Sequence, residues 1–280
     1  MMENGRPACP FCESTDIRTK RTTILSGRIF ICNSCEIGFD RAPRTVDYVT
    51  DSVFTIVGDK IEQYRRYAGR IVNMIKQAAE RKKLILPSGK IDVLEIGSGY
   101  GLTSDGIARE LPVAKYYHFE LNLGMQRWLK SNNKSVLSSL DDIDKVDIII
   151  MSHVLEHIKN AKEYVTRLLD AKLRTNGYLI LFQTDHSGFI PSFLPFLWYG
   201  WQLQEHYYHF TPKTLSRWCE SSKEYNVVSV VKYDLDQDFS LSVKGFVKLF
   251  LKAVNYVIPE NRYDAFMLCI RKNTTRPGSA

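Results

Sequence analysis

The 280-residue sequence has no long, unbroken apolar run. Its most apolar stretch, Phe189 to Trp201, is interrupted by Pro191 and Pro195 and falls short of the about 20 apolar residues that a helix needs to cross a bilayer. No apolar segment follows a basic start, so a secretory signal is not expected and a cytoplasmic location is. Internal repeats are absent, which excludes a solenoid or propeller. Cysteine is sparse: of six, four stand in two pairs near the start, while Cys219 and Cys269 sit apart in apolar surroundings, as buried free thiols do. That distribution suits a reducing compartment and a metal site better than a secreted disulfide framework. What remains is ordinary. A hydrophobic fraction of 44% and a charged fraction of 25% support one full-sized core with a small accessory unit beside it.

The net charge of +7 is unevenly spread. Residues 1–90 carry 16 Lys/Arg against 10 Asp/Glu, whereas residues 91–280 carry 22 against 21. A basic N-terminal third, with Arg65-Arg66 and Arg81-Lys82-Lys83, favours an anionic partner such as RNA, a nucleotide-linked sugar or a phosphorylated lipid carrier. A solvated helix face accounts for the same charges.

Cys9-Pro10-Phe11-Cys12 and Cys32-Asn33-Ser34-Cys35 are separated by nineteen residues. Two such turns can close four thiolates around zinc, and with no place for water the metal would be structural, replacing a core that so short a segment cannot build. A redox pair or disulfides are the competing readings. Residues 1–45 form this unit, and 46–90 are a linker with Pro43 just before it and a helical region over about Gly58–Lys83. There Ile61, Tyr64, Ala68, Ile71, Ile75 and Ala78 recur at helical spacing.

From Ile91 the pattern alternates strand and helix, the mark of a doubly wound α/β sheet. The expected strands are Val93–Ile96, Lys115–Phe119, Ser135–Leu137, Val146–Met151, Tyr178–Phe182, Val227–Val231 and Ala265–Ile270, the last two pairing antiparallel at an edge. Asn176-Gly177 is expected to turn the chain into the fifth strand. A further helix is expected near Phe246–Val257, its Lys244, Lys248 and Lys252 suiting either a membrane surface or solvent above the sheet. Residues 273–280 are polar and expected to be disordered.

The first strand runs into glycines as Val93-Leu94-Glu95-Ile96-Gly97-Ser98-Gly99-Tyr100-Gly101, and a helix follows from about Ser104. Glycines let backbone and ligand approach closely. A dinucleotide fingerprint would place its third glycine at position 102, which is Leu. Instead Glu95 opens the loop, an arrangement poor for pyrophosphate and better for a cationic aminoacyl group. Glu120 ends the second strand, 21 residues after Gly99, where a carboxylate can accept from two ribose hydroxyls.

On these residues the segment 91–272 resembles the class I S-adenosylmethionine-dependent methyltransferases, with their Rossmann-like seven-stranded sheet. It is most similar to a family with a Val-Leu-Glu-His segment after strand four and a His-x-x-x-Phe-Thr-Pro segment beyond strand five, here Val154–His157 and His206–Pro212. The resemblance implies that Glu95, Gly97, Ser98, Gly99 and Gly101 hold the methionine part, Glu120 the ribose, and Leu121 the adenine edge. It places Ser152 and His153 beside the transferred methyl, and Asp141 is the candidate for the adenine amino group. His153, His206 and His209 are the candidate bases for a hydroxyl acceptor. The N-terminal cysteines, followed by Gly38-Phe39, are similar to a bacterial zinc-ribbon group of this family that includes methyltransferases of sugar and surface-glycan biosynthesis. This implies a saccharide, sugar nucleotide or related anionic small molecule as acceptor. A zinc ribbon also precedes certain ribosomal RNA methyltransferases, which keeps RNA as the alternative. The Asn/Asp-Pro-Pro-aromatic motif for base amino groups is missing, since Ser152-His153-Val154-Leu155 stands there.

Two other readings compete. His153-Val154-Leu155-Glu156-His157 resembles a zinc-protease motif, but the glutamate precedes the second histidine rather than following the first, and a buried strand leads straight into it. A degenerate cofactor scaffold is opposed by the intact Gly97, Gly99 and Glu120. The aromatic stretch Phe189–Phe210 fits a lid or substrate pocket as well as a local core.

Overall fold

The computed structural model describes residues 2–3, 6–22, 28–40, 47–50, 58–193, 195–201, 205–234 and 263–274. The expected helix over Phe246–Val257 and the linker around Pro43 lie outside these residues, and only Asn273 and Thr274 of the tail lie within them.

The N-terminal strands are β1 (Met2–Glu3), β2 (Arg6–Pro7), β3 (Ile17–Arg21), β4 (Arg28–Cys32) and β5 (Gly38–Phe39), followed by helix α1 (Gly58–Glu80). The chain then alternates β6 (Ile91–Ile96), α2 (Leu102–Glu110), β7 (Val113–Phe119), α3 (Leu123–Ser131), β8 (Ser135–Val136), β9 (Val146–Ser152), α4 (Ala161–Lys172) and β10 (Leu173–Thr184). After a short helix α5 (Phe189–Phe193) come β11 (Tyr208–His209), α6 (Pro212–Glu220), β12 (Tyr225–Tyr233) and β13 (Ala265–Lys272).

Seven strands form one sheet in the order β12-β13-β10-β9-β6-β7-β8. The strands from β8 to β10 pair in parallel, while β13 runs antiparallel to both β10 and β12. All seven expected strands are present, and the central ones, β6, β9, β10 and β13, are buried on both faces and so write themselves as apolar runs. In β6, Leu94 and Ile96 join the core on one face, and Ile91 and Val93 join the core on the other. The strand order reverses between β6 and β9, and in open α/β sheets ligands bind at the carboxyl ends of strands at such a reversal.

Helix α1 is part of this core. Ile71, Val72, Ile75 and Ala78 pack with Ile107 of α2 and with Ile91 and Ile180 of the sheet. Tyr64, on the apolar face by its spacing, is instead exposed, with its ring against Tyr100. The register of β10 also differs from expectation. The strand begins at Leu173, directly after α4, and Asn176 and Gly177 lie in an irregularity between Leu173 and Tyr178 rather than in a turn before the strand. Asn176 has φ +65°, and a Cβ on Gly177 would meet two carbonyl oxygens at 2.8 Å, so this crowded bulge requires glycine.

The cysteine-bearing strands form a second sheet, β11-β5-β4-β3. Its outermost strand β11 comes from the large unit, Tyr208 facing Phe39 and His209 facing Gly38. Phe11, Ile37 and Phe39 share a core with Phe210 and Leu215, while Ile29 and Ile31 pack on Trp198 and Trp201. Among the described residues no helix is long and apolar enough to cross a membrane.

Candidate functional site

The glycine loop leaves the carboxyl end of β6 at the strand-order reversal. Gly97, Gly99 and Gly101 have φ of +67°, +53° and +64°, conformations costly for any residue with a Cβ. A Cβ on Gly97 would meet Val154 Cγ2 at 2.4 Å, and one on Gly101 would meet Leu129 Cδ2 at 2.6 Å. At Gly99 the same atom would touch only Met125 Sδ, at 3.9 Å, so this side of the loop is open. Glu120, after β7, closes the arrangement: one carboxylate oxygen accepts from Gly99 N at 2.8 Å and the other from Asn122 N at 2.8 Å. Asn122 in turn caps α3 by accepting from Met125 N. Leu121 is exposed beside it, and Ser98 turns inward, its hydroxyl donating to the Glu95 carbonyl.

Glu95 lies beneath the loop rather than on its open side. Its carboxyl group is buried and accepts from the Tyr116 hydroxyl at 3.0 Å. Burial pushes its pKa up from 4.5 to about 7, against the opposing bonds from Tyr116 and Thr103. The folded state therefore holds a proton that the unfolded chain releases. The associated stabilisation is complete below pH 4.5 and is lost as pH rises through about 7. Glu95→Gln should accordingly raise the melting temperature at pH 8, by the equivalent of about 3 kcal/mol at most, and change it little at pH 4.5. Equal effects at both pH values in thermal melts would mean that the carboxyl group is not held protonated.

At the end of β9, His153 has φ +52°, a strained conformation for histidine, with its backbone N–H bonded to the Phe182 carbonyl. Its Nδ1 lies 3.3 Å from Glu156 Oε1, and its Nε2 lies 2.8 Å from the Tyr67 hydroxyl. Tyr67 reaches in from α1 and also lies 3.3 Å from Ser152 Oγ and 3.2 Å from the Tyr233 hydroxyl. Burial alone would raise the Glu156 pKa, but the bond from His153 and the nearby imidazoles outweigh it and hold the carboxylate ionised. An ionised carboxylate accepts, so Nδ1 of His153 carries the proton and Nε2 accepts from Tyr67. A carboxylate orienting an imidazole in this way is how a general base is prepared. Sequence spacing gave no hint of Tyr67, 86 residues from His153.

Of the other candidate bases, His206 sits beside Glu156 and His157, and His209 sits beside His206. His206 and His209 are buried, their rings 5.6 Å apart. His209, in β11, packs on Trp201, and burial pushes His206 down to about 4 and His209 well below the usual range. Neither attracts a proton strongly at neutral pH. The Asp141 side chain is 95% exposed and faces Lys172, at the end of α4 that leads into the amino end of β10. It is thus drawn away from the carboxyl edge where Glu120 and the loop meet.

The four paired cysteines converge, all Sγ atoms lying within 4.8 Å of one another. The Cys9–Cys35 and Cys12–Cys32 sulfurs are 3.6 and 3.5 Å apart, too far for a disulfide of about 2.05 Å. A tetrahedron with metal–sulfur bonds of about 2.3 Å has edges of about 3.8 Å, so the donor set fits a tetrahedral thiophilic ion. Cys219 and Cys269 are buried free thiols far from this group in the chain.

A protein-family model described as a methyltransferase domain matches residues 62–230, which is more than half of the chain. No curated protein sequence matches. Among solved structures, the plantazolicin methyltransferase BpumL in complex with SAH is similar at a TM-score of 0.51 and 13% identity, over 77% of this chain and 90% of that one. One chain of the complex between the Haloferax volcanii Trm112 methyltransferase activator and a methyltransferase is similar at 0.52 and 11% identity, over 80% of this chain and all of that one. At such identities the likeness is one of fold, and the family match carries the assignment. The chain belongs to the methyltransferase domain family, and it is an S-adenosylmethionine-dependent methyltransferase.

Proposed function

We propose that this enzyme methylates a hydroxyl group of a saccharide, sugar nucleotide or related anionic small molecule, of the kind used in surface-glycan synthesis. The observation that carries the reading is the Tyr67–His153–Glu156 chain at the carboxyl end of β9, next to the glycine loop. A sulfonium methyl donor is already activated, so the protein's task is to hold the acceptor in line and remove its proton. A hydroxyl acceptor needs a base, and an imidazole anchored by a buried carboxylate supplies one. In this reading Gly97, Gly99 and Gly101 receive the methionine part, with Ser98 and Glu95 bracing the loop. Glu120 takes the ribose hydroxyls in place of its bond to Gly99, Leu121 offers an apolar edge to the adenine, and Ser152 lies beside the sulfonium. The four cysteines hold a structural zinc ion.

An RNA acceptor is the second reading, favoured by the basic N-terminal third. Lys20 weighs against it: the ammonium lies 5.3 Å from the Trp201 ring centroid and burial pushes it down to about 8, so it is spent on packing rather than offered to phosphate. The two acceptors separate in one experiment. With labelled methyl donor, label should pass to nucleotide-linked sugars, and His153→Ala should lower kcat while leaving cofactor affinity unchanged. Binding to RNA should be absent or insensitive to salt. Labelled RNA, together with affinity falling steeply as salt rises, would establish the second reading instead.

A further inference from the structure

The turn after β9 holds groups that base preparation leaves unexplained. Glu156 is 1% exposed, and only one of its carboxylate oxygens is engaged, by His153. The other, Oε2, is buried without a partner among the described residues, as is Nδ1 of His206. A buried carboxylate oxygen without a partner is costly, and so is an unpaired buried imidazole nitrogen. Between them stands His157, half-buried, with its ring 4.7 Å from that of His206. Nδ1 of His157 lies 3.3 Å from the Glu205 carbonyl and 2.6 Å from the Tyr48 hydroxyl. The Tyr48 hydroxyl also meets the Glu205 carboxylate, to which it donates, and the Glu205 carbonyl can only accept, so both contacts place the proton on Nδ1 and leave Nε2 to present the lone pair. One ligand atom from each of Glu156, His157 and His206 falls within a span of 4.8 Å.

We propose that Glu156, His157 and His206 bind a divalent transition-metal ion of the zinc type, at a second metal site distinct from the four cysteines. Two imidazoles and a carboxylate are a donor set for zinc, iron, cobalt or nickel, and three protein ligands leave a position for water or another oxygen donor. The ion supplies the missing partner to Oε2 and to the His206 nitrogen. The Glu205 carbonyl on His157 is the outer contact that fixes the tautomer of a metal-bound histidine. Its structural effect is to fasten the segment from Glu205 onward to the turn after β9, where one backbone bond, Tyr207 N–H to the Glu156 carbonyl at 2.8 Å, already joins them. Glu156 then serves both centres, one oxygen on the ion and the other on His153. This is not protease chemistry: the glutamate is a ligand, and the third ligand comes from a different segment of the chain.

Cobalt(II) tests the proposal, because thiolate-bound cobalt has an intense ligand-to-metal charge-transfer band that nitrogen- and oxygen-bound cobalt lacks. The tag-free, full-length chain, stripped by chelation and titrated with cobalt, should take up two equivalents, only one of which produces the thiolate band. Glu156→Gln and His206→Ala should each lose the equivalent without that band and keep the other, with far-ultraviolet circular dichroism and binding of demethylated cofactor reporting the fold. Saturation of the wild-type chain at one equivalent, all of it thiolate-bound, overturns the proposal, and that measurement does not depend on any variant folding. Retention of two equivalents by a folded His206→Ala chain overturns it as well. Cofactor binding is read separately in the same samples, so a failure of the methyltransferase reading would not be mistaken for absence of the ion.

Discussion

Glu120→Ala is expected to weaken binding of S-adenosylmethionine and its demethylated product by about 100-fold or more, as two hydrogen bonds to a charged acceptor are each worth about 1.5–3 kcal/mol. The carboxylate is placed for this. It already accepts from two backbone N–H groups, those of Gly99 and Asn122, at 2.8 Å each, so it is held in position before any ligand arrives. Its removal also frees the N–H groups of Gly99, which is partly exposed, and of Asn122, whose side chain still caps α3. The fold should therefore survive with little loss of melting temperature. Titration calorimetry with the demethylated product, run beside a thermal melt, distinguishes the outcomes. Unchanged affinity in a folded variant would remove Glu120 from the binding site.

Cys32→Ser should have the largest effect on stability. Cys32 is fully buried at the centre of the thiol group, with its sulfur 3.5 Å from that of Cys12. Structural zinc contributes on the order of 10 kcal/mol in small zinc-binding peptides, more than such a unit retains otherwise. The variant should lose one equivalent of zinc by elemental analysis, and residues 1–40 should lose protection from hydrogen exchange. The loss should also reach Trp198 and Trp201, which pack on Ile29 and Ile31, and tryptophan emission should shift to the red. A metal-free variant with wild-type emission and melting temperature would show that the thiols need no ion.

The sequence made the sheet legible and left much of the site hidden, and the reason is physical. Ile148, Ile149 and Ile150 are all fully enclosed, and no other environment selects so plain a run. The meeting of the glycine loop with Glu120 was readable because it is made by residues close together in the chain. Tyr67 was not, since a tyrosine on an amphipathic helix looks like any half-buried aromatic until the helix is docked. Strand β11 was invisible for a different reason: two residues have no periodicity, and its partner lies far away in the sequence. The buried state of His206 and His209 was equally hidden, because a histidine-rich and aromatic segment reads the same whether it covers a cleft or fills a core.

The origin of β11 governs how this chain can be made. Phe39 and its partner Tyr208 are roughly 170 residues apart, and a ribosome adding about 5–20 residues per second needs on the order of ten seconds or more to bridge them. All four thiols emerge early, so the metal ion proposed for them could be captured during that interval, while the open edge of β5 still lacks its neighbour. Metal loading can thus come first, closing the small sheet last, once the nascent chain has delivered Tyr208 and His209.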